Sequence, residues 1–313
     1  VNGRLIHVSP VIIDLVMTID RLPEPGGDTL ADSSRALPGG GFNVMAAAAR
    51  AGMPVVYGGA HGSGPNGDLA RAALGAEGIE AVHDPLPDSD TGFCVALVDS
   101  GAERTFVTSL GAESELPATA LRSLDPGPGD TVYAVGYSLL PGARAEDLAA
   151  WIVDLHPQVR AALDPAPVVD AIEPALLAKV LERVDVFSPN AAEAAALTGG
   201  AGPERAAADL ASRVRHGGAV VVRDGADGCV VATTGRGPVR IPGVPVAAVD
   251  TNGAGDTHMG VLLAALAEDL DLDEAARRAN AAAARAVTLR GPATAPTRAE
   301  LAAFAAEHGG PDV

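Results

Sequence analysis

A carboxylate set behind a short run of small residues can serve two purposes at one point. Its oxygens can take a proton while neighbouring backbone N–H groups hold an anion. The segment Asp250-Thr251-Asn252-Gly253-Ala254-Gly255-Asp256 has this form. Gly253 and Gly255, with only Ala254 between them, admit close backbone approaches that a side chain would block, so consecutive N–H groups can converge on an anion. The apolar stretch from Met259 to Leu266 predicts a buried helix whose N-terminus adds partial positive charge at the same spot. Asp256 then lies in or beside the first turn, placed to deprotonate a hydroxyl while the N–H groups steady a phosphoryl group. The same string also fits an ordinary strand-to-helix turn with Asp256 as a cap.

Three further clusters have residue types suited to a polyanion or a polyol. In Pro38-Gly39-Gly40-Gly41-Phe42-Asn43, three glycines lead into a helix, and Asn43 offers hydroxyl groups both a donor and an acceptor. In Ser188-Pro189-Asn190-Ala191-Ala192-Glu193, the three-residue spacing puts Asn190 and Glu193 on one helix face, suited to a hydrated Mg²⁺ or to phosphate held through water. It equally describes a capping box. The turn Asp224-Gly225-Ala226-Asp227-Gly228 follows an apolar strand, and Arg223 just before it could contact phosphate oxygens as a charged donor.

Apolar strand-like runs alternate with alanine-rich helical stretches, the pattern of a mainly parallel sheet covered on both faces. The runs Leu5 to Ile13, Pro54 to Gly59, Thr131 to Val135, Val159 to Leu163, Val184 to Ser188 and Ala219 to Arg223 predict core strands. Helices are expected at Asn43 to Ala51, Gly67 to Ala76, Ala145 to Leu155, Pro174 to Leu181, Ala191 to Leu197, Pro203 to His216, Asp273 to Leu289 and Thr297 to His308. Two segments, about 14–37 and 91–109, break the rhythm with short alternating stretches that predict a small inserted β-sheet. No linker divides the 313 residues, so one domain over 1–313 is expected.

A formal charge of −18 argues against general affinity for nucleic acid or an anionic membrane surface. No apolar run is long enough for a membrane-spanning helix. Val1-Asn2-Gly3-Arg4 does not open a secretory signal, and Cys94 and Cys229 form no C-x-x-C pair, so a reduced, cytoplasmic protein is expected. Lys179 is the only lysine and lacks the glycines of a phosphate loop. Leu5 to Ile13 is followed by no Gly-x-Gly-x-x-Gly turn, which argues against a dinucleotide-dependent oxidoreductase.

The heptapeptide ending at Asp256 resembles the C-terminal signature of the ribokinase-like (PfkB) carbohydrate kinases, whose last Asp is the catalytic base. Motifs in the same order extend from Asp14 to about Ala295. The resemblance implies a three-layer α/β/α sandwich with a β-lid that covers the substrate and often pairs with a second subunit, hence a homodimer. It implies ATP and Mg²⁺ as cofactors, with Gly253, Ala254 and Gly255 as an anion hole. Asp14, Gly39, Gly40, Gly41 and Asn43 would bind substrate, and Asn190, Glu193, Arg223, Gly225, Gly228, Asn280 and Gly291 the nucleotide. Glu193 would meet Mg²⁺ through water, and Asp250 would hold K⁺ together with carbonyls of Ala286 to Gly291.

Departures from the family pattern are Pro38 in place of the first glycine, His61 near a usual Asp, Arg223 in place of Thr, and His258 in place of an aromatic residue. Where several relatives have Lys, this chain has Gly40, which favours a neutral acceptor. The expected activity is ATP-dependent phosphorylation of a hydroxymethyl group on a small neutral sugar. A nucleoside kinase of the same fold, or a non-catalytic sugar or nucleoside sensor, is the alternative, though only 3% of the chain is aromatic for stacking on a base.

Overall fold

A computed structural model describes residues 3–101 and 103–308. Val1 and Asn2, used above in reading the start of the chain, lie outside it. Thirteen strands are β1 (Leu5–His7), β2 (Val11–Thr18), β3 (Ser33–Gly40), β4 (Val55–Tyr57), β5 (Glu80–Ala81), β6 (Phe93–Val98), β7 (Arg104–Ser109), β8 (Thr131–Val135), β9 (Arg160–Asp164), β10 (Val186–Phe187), β11 (Ala219–Arg223), β12 (Cys229–Thr233) and β13 (Arg236–Ile241). Among the described residues, ten α-helices are α1 (Gly41–Arg50), α2 (Pro65–Ala76), α3 (Ala118–Ser123), α4 (Ala143–Val153), α5 (Pro174–Leu181), α6 (Ala191–Leu197), α7 (Pro203–Ala211), α8 (Ala254–Ala267), α9 (Leu272–Ala286) and α10 (Arg298–Glu307).

Nine strands form one sheet in the order β13-β12-β11-β10-β9-β8-β1-β4-β5, parallel except that β12, near one edge, runs antiparallel to both β11 and β13. Residues alternate between its faces, as the two-residue period of a strand requires. Leu5, Tyr133 and Val221 join a core under α1, α2, α8, α9 and α10, while Ile6, Val132 and Val220 join one under α3 to α7. Burying both faces gives each such aliphatic side chain about 1.5–3 kcal/mol of transfer free energy. From β1 the chain builds toward β4 and β5 on one side and toward β8 to β11 on the other. Such a reversal opens a crevice at the carboxyl ends of the strands.

The second sheet has four strands in the order β3-β2-β6-β7 and forms a separate lid. Its origin corrects one expectation. The apolar run Leu5 to Ile13 is not a single strand: it leaves the large sheet after His7 and enters the lid at Val11. Pro10, which has no N–H for a ladder, lies at the break, and its carbonyl accepts the Gly41 N–H at 2.9 Å. The lid also reaches past the expected 14–37, because Gly39 and Gly40 pair in the ladder opposite Ile12 and Val11. At the C-terminal side, α7 stops at Ala211 rather than His216, and α9 spans Leu272–Ala286 rather than Asp273 to Leu289.

Candidate active site

The crossing of α1 and α8 creates the centre of the site. A Cβ placed on Gly260 would lie 2.5 Å from the Val44 carbonyl oxygen and 2.7 Å from the Ala47 Cβ, so the two helices touch backbone to backbone. Asn43, one residue before Val44, thereby reaches Asp256, one turn before Gly260. Its Nδ2 donates to Asp256 Oδ2 at 3.0 Å. The Asn43 Oδ1 is buried without a partner, an acceptor directed to no protein donor.

Asp256 occupies the first turn of α8, where N–H groups have no intrahelical acceptor. The turn is fixed by Gly253, which is left-handed at φ 74° and lies so close to the Pro292 carbonyl that a Cβ would be 1.9 Å away. Burial lifts the Asp256 carboxyl to about 6; the Asn43 hydrogen bond and Arg223 oppose the rise, and the negative charge of Asp164 adds to it. Asp14, on β2 of the lid, is also lifted to about 6, by burial and then by repulsion from Asp256. A Cβ on Gly39 would fall 2.2 Å from Asp14 Oδ2, so the glycine leaves room for this carboxylate. The three glycines are thus the end of a β-ladder and the start of α1, not a free anion-binding turn.

Beyond the first turn of α8 opens a cavity of about 590 Å³, the size of a cofactor site. Asn190, Arg223, Gly225, Gly228, Ala254, Gly255 and Asn280 line it. The expected residues Glu193, Asp250, Gly253 and Gly291 do not. Arg223 Nη2 contacts Asp164 Oδ2 at 2.8 Å and Glu193 Oε2 at 3.6 Å, and donates to the Ser188 carbonyl at 2.9 Å. Its Nη1 is turned toward the helix start, 2.5 Å from where a Cβ of Gly255 would be. Asp164, at the end of β9 and 7% exposed, did not stand out in the sequence. An Asp at a strand end has no local signature, and its partner is on another strand.

Asn190 and Glu193 form the capping box in full. Glu193 Oε2 accepts the Asn190 backbone N–H at 2.7 Å, Oε1 accepts Asn190 Nδ2 at 2.7 Å, and the Glu193 N–H bonds back to Asn190 Oδ1 at 2.9 Å. Burial, then Asp164, raises the Glu193 pKa. With both oxygens engaged and no cluster of three or more metal-type side chains among the described residues, the donors fit an ion carried on phosphate and touched through water.

His258 is buried in the same wall. Asn280 Nδ2 donates to the carbonyls of Ile241 and Pro242, both at 3.1 Å, so its Oδ1 must accept the Nε2–H of His258 at 3.1 Å. Burial holds the imidazole neutral by lowering its pKa to about 3. His61 serves structure: Arg71 Nη1 donates to its Nδ1 at 2.9 Å, which leaves its Nε2–H for the His83 carbonyl at 3.0 Å. Asp250 accepts from the Arg104 guanidinium and from the backbone N–H groups of Asn252 and Gly291.

A family model for pfkB family carbohydrate kinases matches residues 4–298, and the chain belongs to that family of sugar kinases. It is 33% identical to an uncharacterized sugar kinase, YegV, of Escherichia coli, over 94% of this chain and 91% of that protein. It is 31% identical to a ribokinase of Haemophilus influenzae, over 93% of this chain and 94% of the other. Its fold superposes on the structure of Arabidopsis thaliana ribokinase complexed with ribose and ATP with a TM-score of 0.81, at 24% identity over 97% and 99% of the chains. Among the described residues, no helix is long and apolar enough to cross a membrane, and both cysteines are free.

Proposed function

We propose that this enzyme transfers the terminal phosphoryl group of ATP to a hydroxymethyl group of a small neutral sugar. The observation that carries the reading is Asp256 itself: a carboxylate at the mouth of α8, held by Asn43 on its sugar side and facing Arg223 across Gly255. As a carboxylate it takes the hydroxyl proton while the oxygen attacks phosphorus in line. First-turn N–H groups of Gly255 and its neighbours, and the Nη1 of Arg223, stabilise charge on the transferring group. The unpartnered Oδ1 of Asn43 and the Asp14 carboxylate orient sugar hydroxyls by accepting from them. Gly225, Gly228 and Asn280 shape the wall for the nucleotide base and ribose.

Bound with ATP, Mg²⁺ would neutralise the phosphate oxygens, and Asn190 with Glu193 would hold its water shell. The whole chain acts as one unit, with segments 11–40 and 93–109 as the lid. Phe106 and Val107 of β7, 58% and 64% exposed, suit the lid for pairing with a second copy. Two unpaired thiols and a need for ATP suit a cytoplasmic setting.

Release of ADP across a panel of pentoses, hexoses and nucleosides tests the assignment. A neutral monosaccharide is expected to give the highest kcat/KM. A preference for a nucleoside would replace the sugar reading, and no turnover with any acceptor would support a sensor instead.

A further inference from the structure

Asp250 is the residue to which family resemblance assigns a monovalent cation, yet its oxygens already face donors. Oδ1 accepts Arg104 Nη2 at 2.6 Å and the Asn252 N–H at 3.0 Å, and Oδ2 accepts the Gly291 N–H at 3.1 Å. Although burial works against ionisation, these two backbone donors and then Arg104 hold the carboxyl below the usual range. Two of the carbonyls from Ala286 to Gly291, those nearest the start of the run, already accept donors as well. Val287 O accepts the N–H groups of Val249 and Asp250 at 2.7 and 3.1 Å, and Ala286 O accepts the Thr294 hydroxyl at 3.1 Å. This arrangement does not fit a bound K⁺. A guanidinium in contact with the carboxylate would repel a second cation at the same oxygens.

Arg104 opens β7 of the lid, whereas Asp250 opens the turn that ends at Asp256. Among the described residues, this is the only ion pair between a lid strand and the rest of the molecule. Through Asn252 and Gly291, Asp250 braces both the approach to α8 and the loop after α9.

We propose that Arg104 is a resident cation for Asp250, which makes the enzyme independent of K⁺ and ties the position of the lid to the anion-binding turn. Arg104 acts as a positioning residue through Asp250. The idea rests on the kinase reading for its kinetic consequence but not for its binding consequence.

Two measurements on the full-length protein separate the two. Thermal unfolding in KCl against tetramethylammonium chloride at equal ionic strength requires no turnover. K⁺ is expected to leave the wild type unmoved and to raise the Tm of Arg104→Ala by about 3 °C, because the vacated carboxylate takes the ion. A K⁺-specific rise in the wild type, or none in Arg104→Ala, would overturn the proposal. In the kinase assay, wild-type kcat/KM for ATP should be the same in both salts. Arg104→Ala should lose about tenfold, with most of the loss recovered by K⁺ or in Arg104→Lys. No loss in Arg104→Ala, or a loss that neither restores, contradicts a role for the charge. Absent turnover in the wild type would instead refute the kinase reading and leave the unfolding result to decide.

Discussion

Asn43 and Asp256, 213 positions apart in sequence, meet through a hydrogen bond of 3.0 Å from the Asn43 amide to Asp256 Oδ2. The bond stabilises the carboxylate against burial, which lifts its pKa to about 6. A base is active only when deprotonated, so kcat/KM should fall about tenfold per pH unit below that value. Replacing Asn43 by Ala removes a donor to the charged form and should move the acid limb to higher pH. An unchanged limb in the pH–rate profile would separate Asn43 from the base.

The same shift has a consequence for stability. Asp256 is raised from 3.8 to about 6 in the folded protein, so the native state binds more protons than the unfolded chain between those values. Stability is therefore lost as pH rises through this window. Asp256→Asn escapes the penalty and should be more stable than the wild type at neutral pH by at most about 3 kcal/mol, the gap closing as the pH falls through this window. Chemical denaturation at several pH values tests this, and an equal gap at all of them would refute it.

Close contact of α1 with α8 depends on Gly260. Gly260→Val forces its side chain onto the Val44 carbonyl and the Ala47 Cβ and should cost about 1–3 kcal/mol in unfolding free energy. It should also lower kcat by separating Asn43 from Asp256. By contrast, Gly75 lies inside α2 with open space where a Cβ would be, and Gly75→Ala should stabilise by about 0.5–1 kcal/mol with kinetics unchanged.

Arg223 compensates two buried carboxylates. Arg223→Met leaves Asp164 and Glu193 without their cation and should destabilise the protein by about 3–5 kcal/mol while raising the KM for ATP. Adding Asp164→Asn should recover part of the stability but not the KM, since the groups are coupled in folding and only Arg223 faces the nucleotide cavity. Independent, additive effects on stability in the double-mutant cycle would contradict the coupling.

Much of this site was legible because its local chemistry is written in short strings. The turn at Gly253 needs a left-handed residue, and the box at Asn190 and Glu193 is set by three-residue spacing, so each was visible before any fold. Whether that box was a cap or a phosphate site could not be read, and the structure shows the cap fully formed. What sequence could not reveal were partnerships between distant elements: Asp164 with Arg223, Arg104 with Asp250, and the role of Gly260 in bringing two helices together. Hydrophobic pattern also missed the passage from β1 to β2, because apolar residues lie on both sides of Pro10 and only their destinations differ.

Single-turnover transfer from ATP to the preferred sugar, followed by rapid quench at a pH above the Asp256 pKa, tests the general base most directly. Asp256→Asn should transfer about 10²–10⁴ times more slowly than the wild type while binding both substrates within about threefold of it. Transfer at a rate close to that of the wild type would show that Asp256 does not remove the proton.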